Sequence, residues 1–282
     1  MASQGPPGTP GLAGSELGLR VASALVLGVV ALATAYWGGL PFVFVWTGAA
    51  AAIALEWLSL ARVEPETAEK AVVGTGVGLT GLAAGTTSDP RLAAVALLLT
   101  LAAAVLVGRS RRDRLWAAGG ALYAAVIALV PILVRQAPGL GLAVLLWMFA
   151  VVWATDIVAY FTGRSLGGPK LWPRVSPKKT WSGFVGGTLA GTFAGAMVAA
   201  AAQGRGIAVP LGYGTVVALS AIASIAGQFG DLAESALKRR AGVKDSGHLI
   251  PGHGGVMDRL DAFWAVAAIV ALASAALQLS AP

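Results

Sequence analysis

The sequence has no cysteine, two histidines and little charge: Asp, Glu, Lys and Arg make up 12% of its 282 residues, where a soluble globular chain carries about 25%. Without cysteine there is no disulfide framework and no thiolate chemistry. No G-x-x-x-x-G-K-[ST] segment occurs, so a P-loop is excluded. Neither a Ser-His-Asp arrangement nor a zinc motif is present. What is abundant is apolar. Hydrophobic residues reach 57%, the mean hydropathy is +0.77, and apolar runs of about 20 residues recur along the whole chain. That pattern excludes a soluble globule with one large core and indicates an integral membrane protein built of helices. The net charge of +7 does not point to nucleic acid. The basic residues lie between apolar runs, where membrane topology accounts for them.

The expected fold is all-α, a polytopic membrane bundle of about nine helices. Residues 1–19 are rich in Gly, Pro and Ser and read as a disordered tail, not as a signal peptide, because no basic segment precedes an apolar core. Residues 20–282 then form a single transmembrane domain. Its spans fall near 21–37, 42–61, 71–86, 92–107, 115–134, 140–161, 182–202, 207–227 and 262–279. Glu56, late in the second span beside Trp57, lies either at the interface or turned inward, and its neighbour favours the interface. Gly74, Gly78, Gly81 and Gly85 in the third span permit close helix contact. Gly183, Gly187, Gly191 and Gly195 form a smooth ridge on the seventh. Alternating the spans from a cytoplasmic N-terminus leaves only Arg91, Arg135 and Arg205 of the 20 Lys and Arg outside, as the positive-inside rule asks. The polar segments 164–181 and 228–261 then both face the cytoplasm, where nucleotides are.

Residues 227–261, GQFGDLAESALKRRAGVKDSGHLIPGHGGVMDRLD, hold Asp231, Glu234, Asp245, Asp258 and Asp261, five cations and both histidines. Asp258 and Asp261 are spaced to share a helix face and reach one cation, and Asp231 is placed to complete an oxygen-rich cage. Hard oxygen donors without cysteine suit Mg2+ better than zinc. The bland alternative is that these acids neutralise the neighbouring cations Lys238, Arg239, Lys244 and Arg259. The glycine-rich run 251–258, with Gly254 and Gly255, reads as a phosphate-cradling turn ahead of a helix or as a plain turn. His253 within it is a candidate proton shuttle or a structural histidine. The segment Ser176–Thr180 (SPKKT), with Ser176, Lys178, Lys179 and Thr180, suits triphosphate or lipid-phosphate binding, or equally an anchor to anionic headgroups. Asp156, within the sixth span, is costly in hydrocarbon and therefore a functional candidate. Acids for a metal and cations for phosphates on one membrane face point to phosphoryl or nucleotidyl transfer. A transporter is the contrary class, and it would spread charge along the midplane of several helices.

Ser235–Asp261 resembles the signature of the phosphatidate cytidylyltransferase (CDP-diacylglycerol synthase) family at Ser235, Lys238-Arg239, Lys244-Asp245, Gly247, Ile250-Pro251, His253-Gly254-Gly255, Asp258-Arg259 and Asp261. Asp156–Gly163 (DIVAYFTG) and SPKKT resemble it too, so the likeness covers the C-terminal half. It implies a membrane bundle, a homodimer, a polar cavity open to the cytoplasm, and conversion of CTP and phosphatidic acid to CDP-diacylglycerol and pyrophosphate. It also implies Mg2+ held by Asp231, Asp258 and Asp261, with a second metal or a monovalent cation left open. Lys238, Arg239, Lys244, Asp245, His253 and Arg259 would be the catalytic set, and Asp156, Ser176, Lys178, Lys179, Thr180, Gly254 and Gly255 would bind substrate. Two positions depart from the family. Ser182 stands where a Glu is usual after SPKKT, and Ala262 where a Ser usually follows the last aspartate. A related enzyme acting on another lipid phosphate, or a polyprenol-type lipid kinase, is the runner-up.

Overall fold

A computed structural model describes residues 12–87, 89–251 and 254–279. Nine helices are found among them: α1 (Leu12–Trp37), α2 (Gly39–Ala61), α3 (Glu66–Thr86), α4 (Pro90–Val107), α5 (Arg111–Gln136), α6 (Gly141–Leu166), α7 (Trp181–Gly204), α8 (Tyr213–Ala241) and α9 (Met257–Leu279). The expected all-α bundle is present, with one addition. Between α6 and α7 lies a small antiparallel hairpin, β1 (Lys170–Trp172) and β2 (Ser176–Thr180), with Lys170 opposite Thr180 and Trp172 opposite Ser176. Residues 1–11 of the expected tail lie outside the described residues. Leu12–Leu19, the rest of it, is already helical in α1.

Seven of the described helices, α2 and α4 to α9, are long and apolar enough to cross a membrane, whereas the apolar part of α1, Val21–Trp37, is shorter. Glu66, Glu69, Lys70 and several Gly and Thr dilute the apolarity of α3. It nevertheless runs the length of the bundle parallel to α5. At one end Glu69 feels the charge of Asp113, and at the other the Gln136 side chain donates to the Ala84 carbonyl at 2.8 Å. The alternation of the remaining helices follows from similar ties. Arg135 at the end of α5 donates to the Ala35 and Tyr36 carbonyls at the end of α1. Arg112 at the start of α5 donates to the Ala61 carbonyl at the end of α2.

In hydrocarbon, association of helices rests on close packing and on hydrogen bonds between them. Gly183, Gly187, Gly191 and Gly195 are buried on one face of α7. A methyl at these positions would strike Ala159, Thr155, Ser224 or Ser220 of α6 and α8. Hydroxyls line the same seam, with Thr155 and Ser224 in a 2.7 Å hydrogen bond and Trp147 donating to Ser220 at 2.9 Å. On α3, Gly74 meets Leu55, Gly81 meets Thr47 and Gly85 meets Val43, as expected, but nothing comes within 4 Å of Gly78. Gly76, against Thr100, is the further contact. Two aromatic groups centre α9 in the bundle. Phe263 stacks on Trp46 of α2 and Phe149 of α6 at 4.9 and 5.5 Å. Trp264 stacks on Tyr123 of α5 at 4.6 Å, and Tyr123 on Trp57 of α2 at 5.1 Å.

Candidate active site

The charged stretch is not one loop. Residues 228–241 continue α8, because DLAESALKRRA is made of strong helix formers and Glu234 pairs with Lys238 one turn on. The helix stops where Gly242 takes the left-handed conformation, φ 75°. Of the described residues that follow, 242–251 and 254–256 are irregular, and α9 begins at Met257. Gly227 and Gly230 set α8 close against α9: a Cβ on Gly230 would lie 2.7 Å from the Asp261 carbonyl and 2.9 Å from Ala265. This approach brings the acids of the two helices together.

Lys238 bridges two of them. Its ammonium lies 3.0 Å from Glu234 Oε2 and 2.5 Å from Asp258 Oδ1. The other oxygen of Asp258 accepts the Ser246 and Gly255 N–H groups at 2.9 and 2.8 Å. Asp258 therefore closes the irregular segment and holds Lys238. Asp261, a turn along the same helix, has different partners. It lies beside Asp231 and Glu234, interacts with the Glu234 side chain and accepts the Ala262 N–H at 2.7 Å. Lys238 thus acts on both acids of the shared face, in direct contact with Asp258 and at longer range on Asp261.

The hairpin approaches from the α7 side. Lys179 Nζ sits 2.6 Å from Asp231 Oδ2, while Lys178, its neighbour on the opposite face of β2, is exposed. Ser176 is half-buried beside Trp172. Thr180 is buried and caps α7, accepting the Gly183 N–H at 3.1 Å, so its hydroxyl serves the helix. Ser182 donates to the Gly167 carbonyl and contacts Thr180 Oγ1 at 3.0 Å. Asp156 lies open on α6, and the charges that act on it are Asp261, Asp231, Lys179 and Arg259. The sixth-span aspartate, the hairpin lysine and the α8–α9 acids therefore face one another.

Glu56 is turned inward, 8% exposed, contrary to the interfacial position its neighbour suggested. Oε1 accepts the Val256 N–H at 2.9 Å, and Oε2 accepts the Met257 N–H at 2.8 Å and the Ser246 hydroxyl at 3.1 Å. The N–H groups of Gly255, Val256 and Met257, the donors expected to cradle a phosphate, are all taken by Asp258 and Glu56. The protein's own carboxylates fill the anion site that a helix N-terminus offers. Gly254, at φ 82°, lies beside Asp258 and Asp245, and its carbonyl accepts the Ile250 N–H at 2.9 Å. Gly252 and His253 lie outside the described residues. Arg239, Lys244, Asp245 and Arg259 are exposed around this rim. A cleft of about 380 Å³, bounded by Glu56, Arg62, Asp245 and His248, opens between α2 and the 241–248 segment, a size within the range of small-molecule sites.

Residues 18–277 match the cytidylyltransferase family. The phosphatidate cytidylyltransferase of Brucella abortus biovar 1 (strain 9-941) is 40% identical over 258 residues, 92% of this chain and 93% of its own. The chain belongs to the cytidylyltransferase family. The phosphatidate cytidylyltransferase of Bacillus subtilis (strain 168) is 43% identical over 130 residues, 46% of each chain, and that of Staphylococcus aureus (strain COL) is 42% identical over 123 residues, 44% of this chain and 45% of its own. The chain is accordingly a nucleotidyltransferase.

Cytidylyltransferase chemistry implies a divalent cation, and the residues present fit one. Among the described residues no three acidic or histidine side chains already converge as a finished cage. Yet Glu234 and Asp261 stand side by side, with Glu234 Oε1 buried and undonated. Two adjacent carboxyl groups on facing helices, one paired with Lys238 and the other accepting the Ala262 N–H, are a place for a cation with oxygen ligands. Glu234 and Glu56 are the site residues that residue-by-residue reading of the sequence did not single out. The spacing of Glu234 one turn before Lys238 marked the first. For the second, the mark was the cost of a carboxylate inside an apolar span.

Proposed function

We propose that this cytidylyltransferase is a CTP:phosphatidate cytidylyltransferase of the cell membrane, acting from the cytoplasmic face with phosphatidic acid drawn from the bilayer. A second copy of the chain, as a homodimer, belongs to the same proposal on the resemblance alone. The observation that carries the reading is the convergence of the α8 and α9 carboxylates, with Lys179 and Lys238 paired among them and Arg259 acting with them on Asp156. The identity to relatives of that name supports the choice of substrates. The cytoplasmic orientation rests on charge: every Lys and Arg that follows α1 lies at the site end of the bundle except Arg91, Arg135 and Arg205.

An oxygen of the phosphatidate phosphate attacks the α-phosphorus of CTP, the bond from that phosphorus to the bridging β-phosphate oxygen breaks, and its electron pair leaves with pyrophosphate. A phosphate monoester is already anionic near neutral pH, so no general base is required. Asp231, Glu234 and Asp261 would hold Mg2+, which offsets charge on the phosphates when bound. Asp258, with its oxygens committed to Lys238, Ser246 and Gly255, orients Lys238. Lys238 and Arg259 neutralise the leaving pyrophosphate, with the exposed Arg239 and Lys244 at the entrance, and preorganisation of these charges is the main source of rate. Asp245, beside Gly254, and His253 remain candidates for placing the triphosphate. Asp156 and Lys179 face the same space from α6 and the hairpin.

The test supplies purified protein in mixed micelles with CTP, ATP or UTP, and with phosphatidate or a polyprenyl phosphate, following pyrophosphate release with and without Mg2+. Release that needs CTP, phosphatidate and Mg2+ together is expected. Release with polyprenyl phosphate in place of phosphatidate would transfer the chain to another lipid phosphate, and none with any pair would overturn the reading.

A further inference from the structure

Glu56 belongs to α2, far in sequence from the signature, yet it is the residue that fastens the irregular segment of the site to the rest of the bundle. Two carboxylates hold the described part of this segment between α8 and α9. Asp258 closes it from within, through Ser246 and Gly255. Glu56 closes it from outside, through Ser246, Val256 and Met257. Three donors on one buried carboxylate form a charge-assisted set, stronger than neutral hydrogen bonds, and two of them are orphan N–H groups at the start of α9. Gly247 and Gly255 leave the room: a Cβ at either would lie 2.6 Å from a Glu56 oxygen. The same turn of α2 carries Trp57, which stacks on Tyr123 and donates to the Trp116 carbonyl at 3.0 Å, so the clamp is mounted on a fixed helix. What it fixes is the start of α9, from which Asp258 and Asp261 project.

We propose that Glu56 is a positioning residue for cytidylyl transfer, setting the register of α9 against α8 through the 246–257 turn. This inference rests on the function proposed above. Glu56 touches no substrate in this scheme. Its removal acts through Asp258, Lys238 and Asp261, and displacement of a reacting group by about 1 Å costs on the order of 100-fold.

The test compares Glu56→Ala, Glu56→Gln and Ser246→Ala with Ile53→Ala, a fully buried α2 residue one turn away that has no part in the clamp. Each is measured for kcat, for KM toward phosphatidate, for thermal unfolding, and for amide hydrogen exchange across 246–257. Glu56→Ala is expected to lower kcat about 100-fold, with KM for the lipid unchanged and faster exchange at Val256 and Met257. Glu56→Gln, which keeps the shape and one acceptor oxygen, is expected to fall between it and the parent, and Ser246→Ala to lose less. Ile53→Ala is expected to melt earlier and keep kcat per folded molecule. Glu56 variants that behave like Ile53→Ala, or that leave exchange at 246–257 unaltered, overturn the inference. If Glu56→Ala does not fold, an unchanged kcat in Ser246→Ala and Glu56→Gln does so. An inactive parent overturns the proposed function instead, and the exchange measurement still decides the clamp.

Discussion

Replacing Lys238 by Met isolates the electrostatics of the site. The side chains of Lys238, Glu234 and Asp258 are 13%, 1% and 3% exposed, so the bridge is a buried one, and removing its cation leaves two carboxylates in the protein interior. Breaking a buried pair from one side costs about 3–5 kcal/mol. Asp258 keeps the Ser246 and Gly255 N–H groups, so most of the penalty falls on Glu234, whose Oε1 already has no donor. The expected cost is therefore near the low end, about 3 kcal/mol, which corresponds to a fall of roughly 6–12 °C in Tm for a chain of this size. Thermal unfolding in lipid nanodiscs, followed by tryptophan emission, reads it. Adding Glu234→Gln to Lys238→Met removes one of the stranded charges and should recover much of the loss, a non-additivity expected of groups in one network. A Lys238→Met protein that melts with the parent, or a double variant no better than the sum of its parts, would refute the buried bridge.

Four further outcomes follow from the same contacts. Gly230→Val pushes α9 from α8 at the Asp261 carbonyl and should abolish activity and cost about 1–3 kcal/mol; Gly78→Ala, with nothing within 4 Å, should raise stability by up to about 1 kcal/mol, both read by thermal unfolding. Ser182→Ala removes the hydrogen bond to the Gly167 carbonyl; a loss of about 1 kcal/mol with turnover retained is expected, whereas loss of turnover would place position 182 in the chemistry. Glu69 is fully buried with both oxygens undonated and the Asp113 charge acting on it; Glu69→Gln should raise Tm by about 2–4 °C, as relief of about 1 kcal/mol of uncompensated charge does, and a fall instead would mean that the carboxylate has a partner.

The bundle was legible in the sequence because hydrocarbon leaves few choices: apolar runs, basic connections and the four-residue glycine spacing on α7 each map to one physical requirement. The acids were legible as a group, since Asp231, Glu234, Asp258 and Asp261 stand together in a chain with little other charge. What each does was not. Asp258 and Asp261 share a helix face, but only the tertiary approach through Gly227 and Gly230 decides that one meets Lys238 and the other Glu234. The glycine run read as a phosphate cradle because its own sequence does not show that Glu56, from another helix, arrives first. For the same reason Thr180 looked like a ligand in the string and is a helix cap in the fold. The 228–241 segment read only as part of a polar segment after the eighth span, because its charge masked its helix propensity.

The most direct measurement is the CDP-diacylglycerol formed from CTP and phosphatidate, with Mg2+, by the parent and by Asp261→Asn, both shown folded by their unfolding transitions. Removing a carboxylate proposed to hold the metal should cost on the order of 1,000-fold in kcat, with product made readily by the parent. Product formation by Asp261→Asn at the parent's rate would contradict a reaction centre built on the facing acids of α8 and α9.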